Sequence, residues 1–312
     1  MSKLAPLILC CLLTAASPIA SQAPAVAAQA RTELFTIQSA ILREERTFEI
    51  YVPARPEPQT RLIYVLDGQA QFVTVVHALE KLGDTRHVVV GIGNIWLRDR
   101  DYTPTKVPAS AFVNGAAAAA SGGGRGFLAH LEKEAFPQIE ARYGKARPRV
   151  LVGHSLGGLW AVDVLLTNPA LFDGYVLIDP SLWWDNARLV AAAQDRLKQG
   201  FPPVDVFLAI ANSRNNDRAD VDAVRADLTE NSALIRPSVL LSDELKASAA
   251  ANGITFGCSY YKDLDHMSVF APAVKDGLDF VLRQVVGRPS PKAGRAATAQ
   301  SVAPLSARPC GS

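Results

Sequence analysis

The chain has 312 residues, of which 49% are hydrophobic and 20% charged, and its 32 Lys and Arg nearly balance its 30 Asp and Glu. This length accommodates one large α/β domain or two small ones. The balanced charge gives no indication of a nucleic-acid surface, and we identify no cluster of Cys and His with the spacing of a metal site. We therefore expect no nucleic-acid partner, no metal and no cofactor.

Residues 1–30 have the pattern of a secretory signal peptide. A positively charged start at Met1-Ser2-Lys3 precedes an uncharged apolar stretch and then small residues, with residues 28–30 or 25–27 as the cleavage site. The apolar stretch is too short and wrongly flanked for a transmembrane helix. We expect a periplasmic or secreted protein without a membrane anchor.

Between residues 31 and 286, apolar runs alternate with helical patterns. This alternation predicts an α/β domain of the α/β-hydrolase type, with a mainly parallel central sheet and helices on both of its faces. Residues 94–125 form the least regular stretch, and Pro137 should kink or split the helix that contains it. The predicted strands span residues 34–38, 46–52, 62–66, 87–91, 150–152, 175–178, 204–211 and 254–261. The predicted helices end at residue 82 or span about residues 126–143, 156–166, 187–197, 221–230, 240–250 and 269–286.

The C-terminal residues 287–312 are rich in Pro, Ala, Ser and Gly, and we predict that they are disordered. Cys258 and Cys310 are the two cysteines that would remain after signal cleavage, and in an oxidising compartment they could pair and fix this tail. An ordinary buried strand position explains Cys258 at least as well. The sequence leaves the pairing open.

Residues 153–157 fit the G-x-S-x-G pattern of a nucleophile elbow, a sharp turn between a strand and a helix. A buried strand precedes the pattern and an amphipathic helix follows it, as the motif requires. Ser155 is therefore predicted to be the nucleophile. The backbone N–H of Leu156, together with that of Gly68 or Gln69 after the strand at residues 62–66, should form the oxyanion hole.

A serine nucleophile needs a histidine that takes its proton. Of the five histidines, His266 alone follows the final strand in a loop, where the general base of such a domain belongs. For the acid that orients the imidazole, the sequence leaves two candidates. Asp217, shortly after the penultimate predicted strand, is favoured, and Asp179, at the end of the strand after the elbow, is the alternative.

Four further side chains are candidates for substrate binding. Trp183 and Trp184 could line an acyl or aromatic pocket, although adjacent tryptophans are as often divided between core and rim. Arg98 and Arg100 could contact an anionic substrate, and a solvated loop explains them equally well.

Taken together, these motifs resemble the putative-esterase branch of the α/β-hydrolases, which includes esterase D and antigen 85-type acyltransferases, and most of all the periplasmic trilactone-siderophore esterases. The resemblance spans about residues 33–286 and implies ester hydrolysis through an acyl-serine, with Ser155 and His266 in the family's roles. This chain has Asp179 where those esterases usually have serine. The motifs are Tyr64 to Gly68, Val90 to Gly93, Arg100 to Pro104, Gly153 to Gly158, Pro180 to Trp184 and His266 to Val269.

We therefore expect a serine carboxylic-ester hydrolase that acts on a small-molecule ester, with a trilactone siderophore as the implied substrate. Two alternatives remain at this stage. The same site could transfer its acyl group to an alcohol or sugar, or the chain could be a non-catalytic binding protein on a hydrolase fold.

Overall fold

The computed structural model describes residues 29–54, 61–144, 148–213, 220–286 and 308–310. The predicted signal peptide lies outside the described residues apart from its last two positions. Asp217 also lies outside them.

In the part of the chain that the structure describes, nine strands form one sheet in the order β1-β2-β4-β3-β5-β6-β7-β8-β9. Strands β3 to β8 are parallel, whereas β1 and β2 join them as an antiparallel pair and β9 is antiparallel to β8. The sheet is therefore mainly parallel, as predicted. The strands are β1 Arg31–Ser39, β2 Glu44–Val52, β3 Leu62–Val65, β4 Val88–Ile92, β5 Arg149–His154, β6 Gly174–Ile178, β7 Val204–Ala211, β8 Ile254–Tyr261 and β9 Arg308–Pro309.

The helices cover both faces of this sheet, which confirms the predicted α/β-hydrolase architecture. They are α1 Gly68–Lys81, α2 Arg98–Asp101, α3 Gly115–Ala120, α4 Gly124–His130, α5 Phe136–Tyr143, α6 Leu156–Thr167, α7 Trp184–Leu197, α8 Val221–Ala226, α9 Arg236–Ser248 and α10 Phe270–Val286. A π-helical turn, Leu131–Ala135, separates α4 from α5. Because Pro137 follows this turn, the predicted disruption of the helix is confirmed.

Side chains of the central strands alternate between two hydrophobic cores, because successive residues of a strand point to opposite faces. In β5, Val150 and Val152 belong to the core beneath α1 and α10, whereas Leu151 belongs to the core beneath α6. All eight residues of β7 are buried. A strand covered on both faces reads as a continuous apolar run, which is why the sequence indicated these strands clearly.

The irregular stretch 94–125 is fixed by a buried charge network. Asp101 is fully buried and accepts hydrogen bonds from Arg46, from Arg100 Nε at 2.7 Å and from Asn94 Nδ2 at 2.7 Å. Glu44 pairs with both arginines, with nitrogen to oxygen distances of 2.9 Å for Arg46 and 2.6 Å for Arg100. The loop is thereby held against β2, on the side of the sheet where β4 ends.

The predicted disorder of residues 287–312 is wrong at residues 308–310. Arg308–Pro309 forms β9 on the outer edge of β8, and Cys310 is disulfide-bonded to Cys258. The pairing that the sequence left open is therefore present. The rest of the tail lies outside the described residues.

Candidate active site

Ser155 occupies a tight turn between β5 and α6, with φ 61° and ψ −123°. The turn requires glycine nearby, because a Cβ at Gly153 would lie 2.6 Å from the Gly157 carbonyl oxygen and one at Gly158 would lie 2.9 Å from Pro180 Cα. Neither approach is possible for a larger residue without a backbone shift. The strained serine conformation and the close packing are those of a nucleophile elbow.

A chain of hydrogen bonds joins Ser155, His266 and Asp179. His266 Nε2 lies 2.9 Å from Ser155 Oγ, and His266 Nδ1 lies 2.6 Å from Asp179 Oδ2. Nδ1–H donates a hydrogen bond to the carboxylate, which leaves Nε2 as the acceptor for the serine hydroxyl. This arrangement has the geometry required for general-base activation of a hydroxyl group.

Asp179 is held by neutral donors at the adjacent ends of β6 and β7. The Ala211 N–H donates to Oδ1 at 3.0 Å, and the Ser213 hydroxyl donates to Oδ2. The carboxyl is buried, with 5% of the residue exposed. Asp217, the favoured candidate, lies outside the described residues, and Asp179, the alternative, is the carboxylate that contacts the imidazole.

The predicted oxyanion-hole residues lie at two helix starts at the same edge of the sheet. Leu156 is the first residue of α6, and Gly68 and Gln69 are the first two of α1. Amides in a first helical turn have no intrahelical acceptor and are free for a ligand. The two starts are neighbours, because a Cβ at Gly157 would lie 3.3 Å from the side chain of Leu66, two residues before Gly68.

The turn before α1 is fixed by Tyr102 and Arg98. Asp67, in the left-handed region at φ 52°, donates its N–H to the Tyr102 hydroxyl at 2.9 Å, and its carboxylate pairs with Arg98 at 3.1 Å. Burial raises the pKa of Asp67, and the Arg98 charge opposes that rise. A Cβ at Gly68 would lie 2.6 Å from the Gly91 backbone, so only glycine fits at this position.

The two arginines proposed for substrate binding have different positions. The Arg98 side chain is 30% exposed beside the turn that carries Gly68. Arg100 instead bonds Glu44 through both terminal nitrogens, at 3.0 and 2.6 Å, and Asp101 through Nε. All three of its nitrogens have carboxylate partners, so the charge of Arg100 is engaged within the protein, and its contact with a substrate stays a prediction.

The two tryptophans divide between core and rim. Trp184 is buried, and its indole N–H donates to the Thr105 carbonyl and hydroxyl oxygens at 3.3 and 3.2 Å. Trp183 is half-buried and packs against Phe112, with ring centroids 5.7 Å apart. Trp183 therefore has a surface that a ligand can reach, whereas Trp184 is occupied by its own hydrogen bonds and packing.

Two residues near the nucleophile were not predicted from the sequence. Ser181 Oγ lies 3.4 Å from Ser155 Oγ, and the Ser181 N–H donates to the Ser155 carbonyl at 3.0 Å. His154 Nε2 lies 2.7 Å from the His266 carbonyl oxygen. The alternation of side chains along a strand could have indicated the position of His154. Even-numbered residues of β5 point toward α10, and α10 directly follows His266 in the chain.

Within the described ranges, no group of three or more His, Cys, Asp or Glu side chains could hold a metal ion. No helix in that part of the chain is both long and apolar enough to cross a membrane.

The chain matches a protein family and several known proteins. The family model described as "Putative esterase" matches residues 39–235. The chain is similar to the ferri-bacillibactin esterase BesA of Bacillus subtilis, with 32% identity over 207 residues that cover 56% of this chain and 71% of the relative. It is also similar to the siderophore enterobactin esterase of Emericella nidulans, with 27% identity over 70% of this chain and 81% of the relative.

Among solved structures, the fold is similar to that of an IroE-like serine hydrolase from Shewanella oneidensis. The TM-score is 0.68 at 30% sequence identity, and the match covers 80% of this chain and 79% of the other. The BES protein of Bacillus cereus has a TM-score of 0.65 at 25% identity, with coverage of 84% and 99% respectively. The resemblance therefore extends over most of the domain.

Proposed function

This chain belongs to the putative esterase family, in the neighbourhood of the siderophore esterases, and we propose that it is a serine hydrolase that cleaves carboxylic esters of siderophores. The observation that carries the proposal is the hydrogen-bonded chain from Ser155 Oγ through His266 to Asp179. Asp179 replaces Asp217 as the proposed triad acid.

In the proposed reaction, His266 Nε2 takes the Ser155 proton as Oγ attacks the ester carbonyl carbon. The carbonyl oxygen becomes an oxyanion, which the N–H groups of Leu156 and of Gly68 or Gln69 stabilise. The protonated imidazole then gives its proton to the departing alcohol, leaving an acyl-serine. Water, deprotonated by His266, attacks the acyl carbon, and the acid leaves as Oγ recovers the proton.

Asp179 supplies orientation and charge to this cycle. Its Oδ2 contact with Nδ1 fixes the tautomer in which Nε2 is the base. Since the carboxylate is buried, its interaction with the imidazolium formed during the reaction is stronger than it would be in water. The neutral donors Ala211 N–H and Ser213 hydroxyl hold it without neutralising its charge.

The substrate class is supported by the relatives and by Arg98. Three relatives are named for esters of ferri-bacillibactin, enterobactin and triacetylfusarinine C. The guanidinium of Arg98 is paired with Asp67 at 3.1 Å but is 30% exposed beside the oxyanion turn, and we propose that it also meets an anionic substrate. The half-buried Trp183 would give the site an apolar wall. We propose a trilactone as the ester.

A periplasmic or secreted location is part of the proposal. It is supported by the signal-peptide pattern of residues 1–30 and by the Cys258–Cys310 disulfide, a bond typical of oxidising compartments.

The experiment is a substrate panel measured with wild type, Ser155→Ala and the control Ser242→Ala. Ser242 is another buried serine, on α9, and its hydroxyl donates to the Val239 carbonyl. We expect wild type and Ser242→Ala to cleave these esters and Ser155→Ala to cleave none of them. The kcat/KM of the two active proteins should be higher for cyclic triserine-lactone siderophores than for p-nitrophenyl esters, feruloyl sugars or S-formylglutathione. Hydrolysis of any of these esters by Ser155→Ala at the wild-type rate would contradict the proposal.

The same panel separates the two alternatives. When an alcohol or sugar acceptor is added, a hydrolase should still release the free acid. A transferase would instead form a new ester with the acceptor. A wild-type protein that binds these esters but cleaves none would be a binding protein on a hydrolase fold.

A further inference from the structure

We propose that His154 is a positioning residue that fixes the general base through a hydrogen bond to the backbone of His266. The inference rests on the proposed function, because it assigns His266 the role of base. His154 contacts neither Ser155 Oγ nor a substrate position, so its effect on the reaction would pass entirely through His266.

The strand geometry places His154 beneath the loop that carries the base. His154 ends β5, and its side chain points to the same face as Val150 and Val152, the face covered by α1 and α10. There it is 5% exposed and packs on Phe270, the first residue of α10, with ring centroids 5.6 Å apart. The residue before the nucleophile is thus directed away from the serine and toward the histidine loop.

The hydrogen bond defines the tautomer of His154. Its Nε2 lies 2.7 Å from the His266 carbonyl oxygen, and a carbonyl can only accept. Nε2 must therefore carry a proton, and in the neutral ring this leaves Nδ1 unprotonated. A buried histidine is otherwise an expensive choice at a strand end, where an apolar residue would fill the same space.

The surroundings keep this ring uncharged. Burial, followed by the charge of His266, lowers the pKa of His154 to about 4, with Arg98 acting in the same direction. The hydrogen bond to the His266 carbonyl and the charge of Asp179 raise the pKa and offset part of this decrease. The two imidazole rings are 4.5 Å apart at their centroids. A cation on His154 at that distance would oppose protonation of His266, whereas a neutral ring allows the base to accept the serine proton.

Other contacts between described residues fix the loop on either side of the base, but none of them reaches the carbonyl of His266. The Asn212 N–H donates to the Leu264 carbonyl at 2.8 Å, and the Asn212 side chain donates to the Lys262 carbonyl at 3.0 Å. Asp265 Oδ1 accepts from the N–H groups of Met267 and Ser268 at 2.9 and 2.8 Å. The bond from His154 adds the restraint at His266 itself.

The kinetic test compares His154→Gln with His154→Met, two side chains of similar size of which only glutamine can donate. We expect His154→Met to lower kcat and kcat/KM together by about 100-fold, the order expected when a reacting group is displaced by about 1 Å. His154→Gln should remain within about tenfold of wild type, since it keeps one hydrogen bond. KM should not change, because His154 does not contact substrate.

His87→Gln is the matched control. His87 is also buried, at 2% exposure, but it precedes β4 at the opposite edge of the sheet, where it pairs with Asp84 at 3.3 Å. We expect its kcat to equal that of wild type. Equal activity of the Met and Gln variants at position 154, in folded protein, would overturn the inference.

A spectroscopic measurement on the wild-type protein does not depend on folding of any variant. In imidazole ¹⁵N–¹H correlation spectra, His154 should be the Nε2–H tautomer and should stay neutral down to about pH 5. A Nδ1–H tautomer, or titration above about pH 6, would overturn the inference. The low-field proton between His266 and Asp179 should persist in His154→Gln and broaden or shift in His154→Met.

These experiments distinguish failure of the proposed function from failure of the inference about His154. If wild type cleaves no ester while His154 shows the expected tautomer and low-field proton, the contact is correct and the activity assignment is wrong. If wild type is active and the two position-154 variants behave alike, only the role of His154 fails.

Discussion

Asp179 and Asp101 are two buried aspartates on the side of the sheet where the parallel strands end, and they have opposite kinds of partner. Asp101 bonds Arg46 and Arg100, whose charges are permanent, so its own charge is neutralised at all times. Asp179 bonds a backbone N–H, the Ser213 hydroxyl and His266. The difference separates a carboxylate that joins parts of the fold from one whose charge remains available to an imidazole that changes protonation.

The largest expected effect is that of Asp179→Asn on activity. The amide keeps the shape of the carboxylate but removes the charge and favours the wrong tautomer of His266, so kcat should fall by about 10⁴-fold. The measurement is kcat on a p-nitrophenyl ester, with circular dichroism to verify the fold. A loss of less than tenfold would mean that another acid, such as Asp217, supports the base.

Arg46→Met tests the other side of the comparison. The Arg46 side chain is 4% exposed, and its removal leaves the buried charge of Asp101 with one arginine instead of two. The free energy of unfolding in urea should fall by about 3–5 kcal/mol, with kcat of the folded protein unchanged. As a control, Arg283→Met breaks an ion pair whose arginine side chain is 57% exposed. This change should lower the free energy of unfolding by less than about 1 kcal/mol. Equal losses in the two variants would remove the distinction.

The disulfide offers a third perturbation, because it lies on β8, the strand that leads to His266. The bond closes a loop across 52 residues. Replacing Cys258 and Cys310 with serine should therefore lower the free energy of unfolding by about 2–4 kcal/mol. If the site is held by its own hydrogen bonds, kcat at 25 °C should stay at the wild-type value. A parallel loss of kcat in folded protein would show that the outer edge of the sheet supports the site.

The smallest effect is the pH dependence of stability. It compares His154, at the C-terminal end of β5 beside the site, with His87, which precedes the N-terminal end of β4. Burial is the main cause that lowers the pKa of each to about 4, against an ordinary value of 6.5. Between those values the unfolded chain binds protons that the folded protein excludes, so stability falls as the pH decreases from about 6.5 to 4 and then levels off.

Between pH 7 and pH 4.5, His87 should lower the free energy of unfolding in urea by about 2 kcal/mol. His87→Gln, which removes one of the two histidines, should show a smaller decrease between pH 7 and pH 4.5 than wild type. A decrease of the same size in both proteins would mean that His87 is protonated in the folded state.

Much of the fold and part of the site could be predicted from the sequence, because they depend on local patterns. The strands buried on both faces read as continuous apolar runs, and β7 and β8 have the predicted bounds. Ser155 and His266 were identifiable because the elbow is a local motif and only one histidine follows the last of the predicted strands. The structure places the two side chains in contact.

The acid was harder to predict because β6 and β7 are neighbours in the sheet. Aspartates after either strand end are candidates to reach an imidazole that arrives from β8, and distance along the chain does not rank them. The ion pair of Arg100 could not be predicted for a related reason: its partner Glu44 is 56 residues away in the chain, so the pair left no local signal.

The Cys258–Cys310 bond and the short strand β9 also depend on distant residues. Composition alone made residues 287–312 appear unstructured, and only the antiparallel pairing with β8 shows that Arg308–Pro309 is part of the sheet. The chain segments that were predicted least well are those whose partners are remote in sequence.

The most direct test of the central claim is covalent labelling of the nucleophile, followed by intact-mass and peptide-mass spectrometry. With a fluorophosphonate, wild type should gain one adduct on Ser155, Asp179→Asn should react far more slowly, and Ser155→Ala should gain none. Wild-type protein that remains unlabelled, or an adduct on a different serine, would contradict the assignment of Ser155, His266 and Asp179 as the catalytic triad.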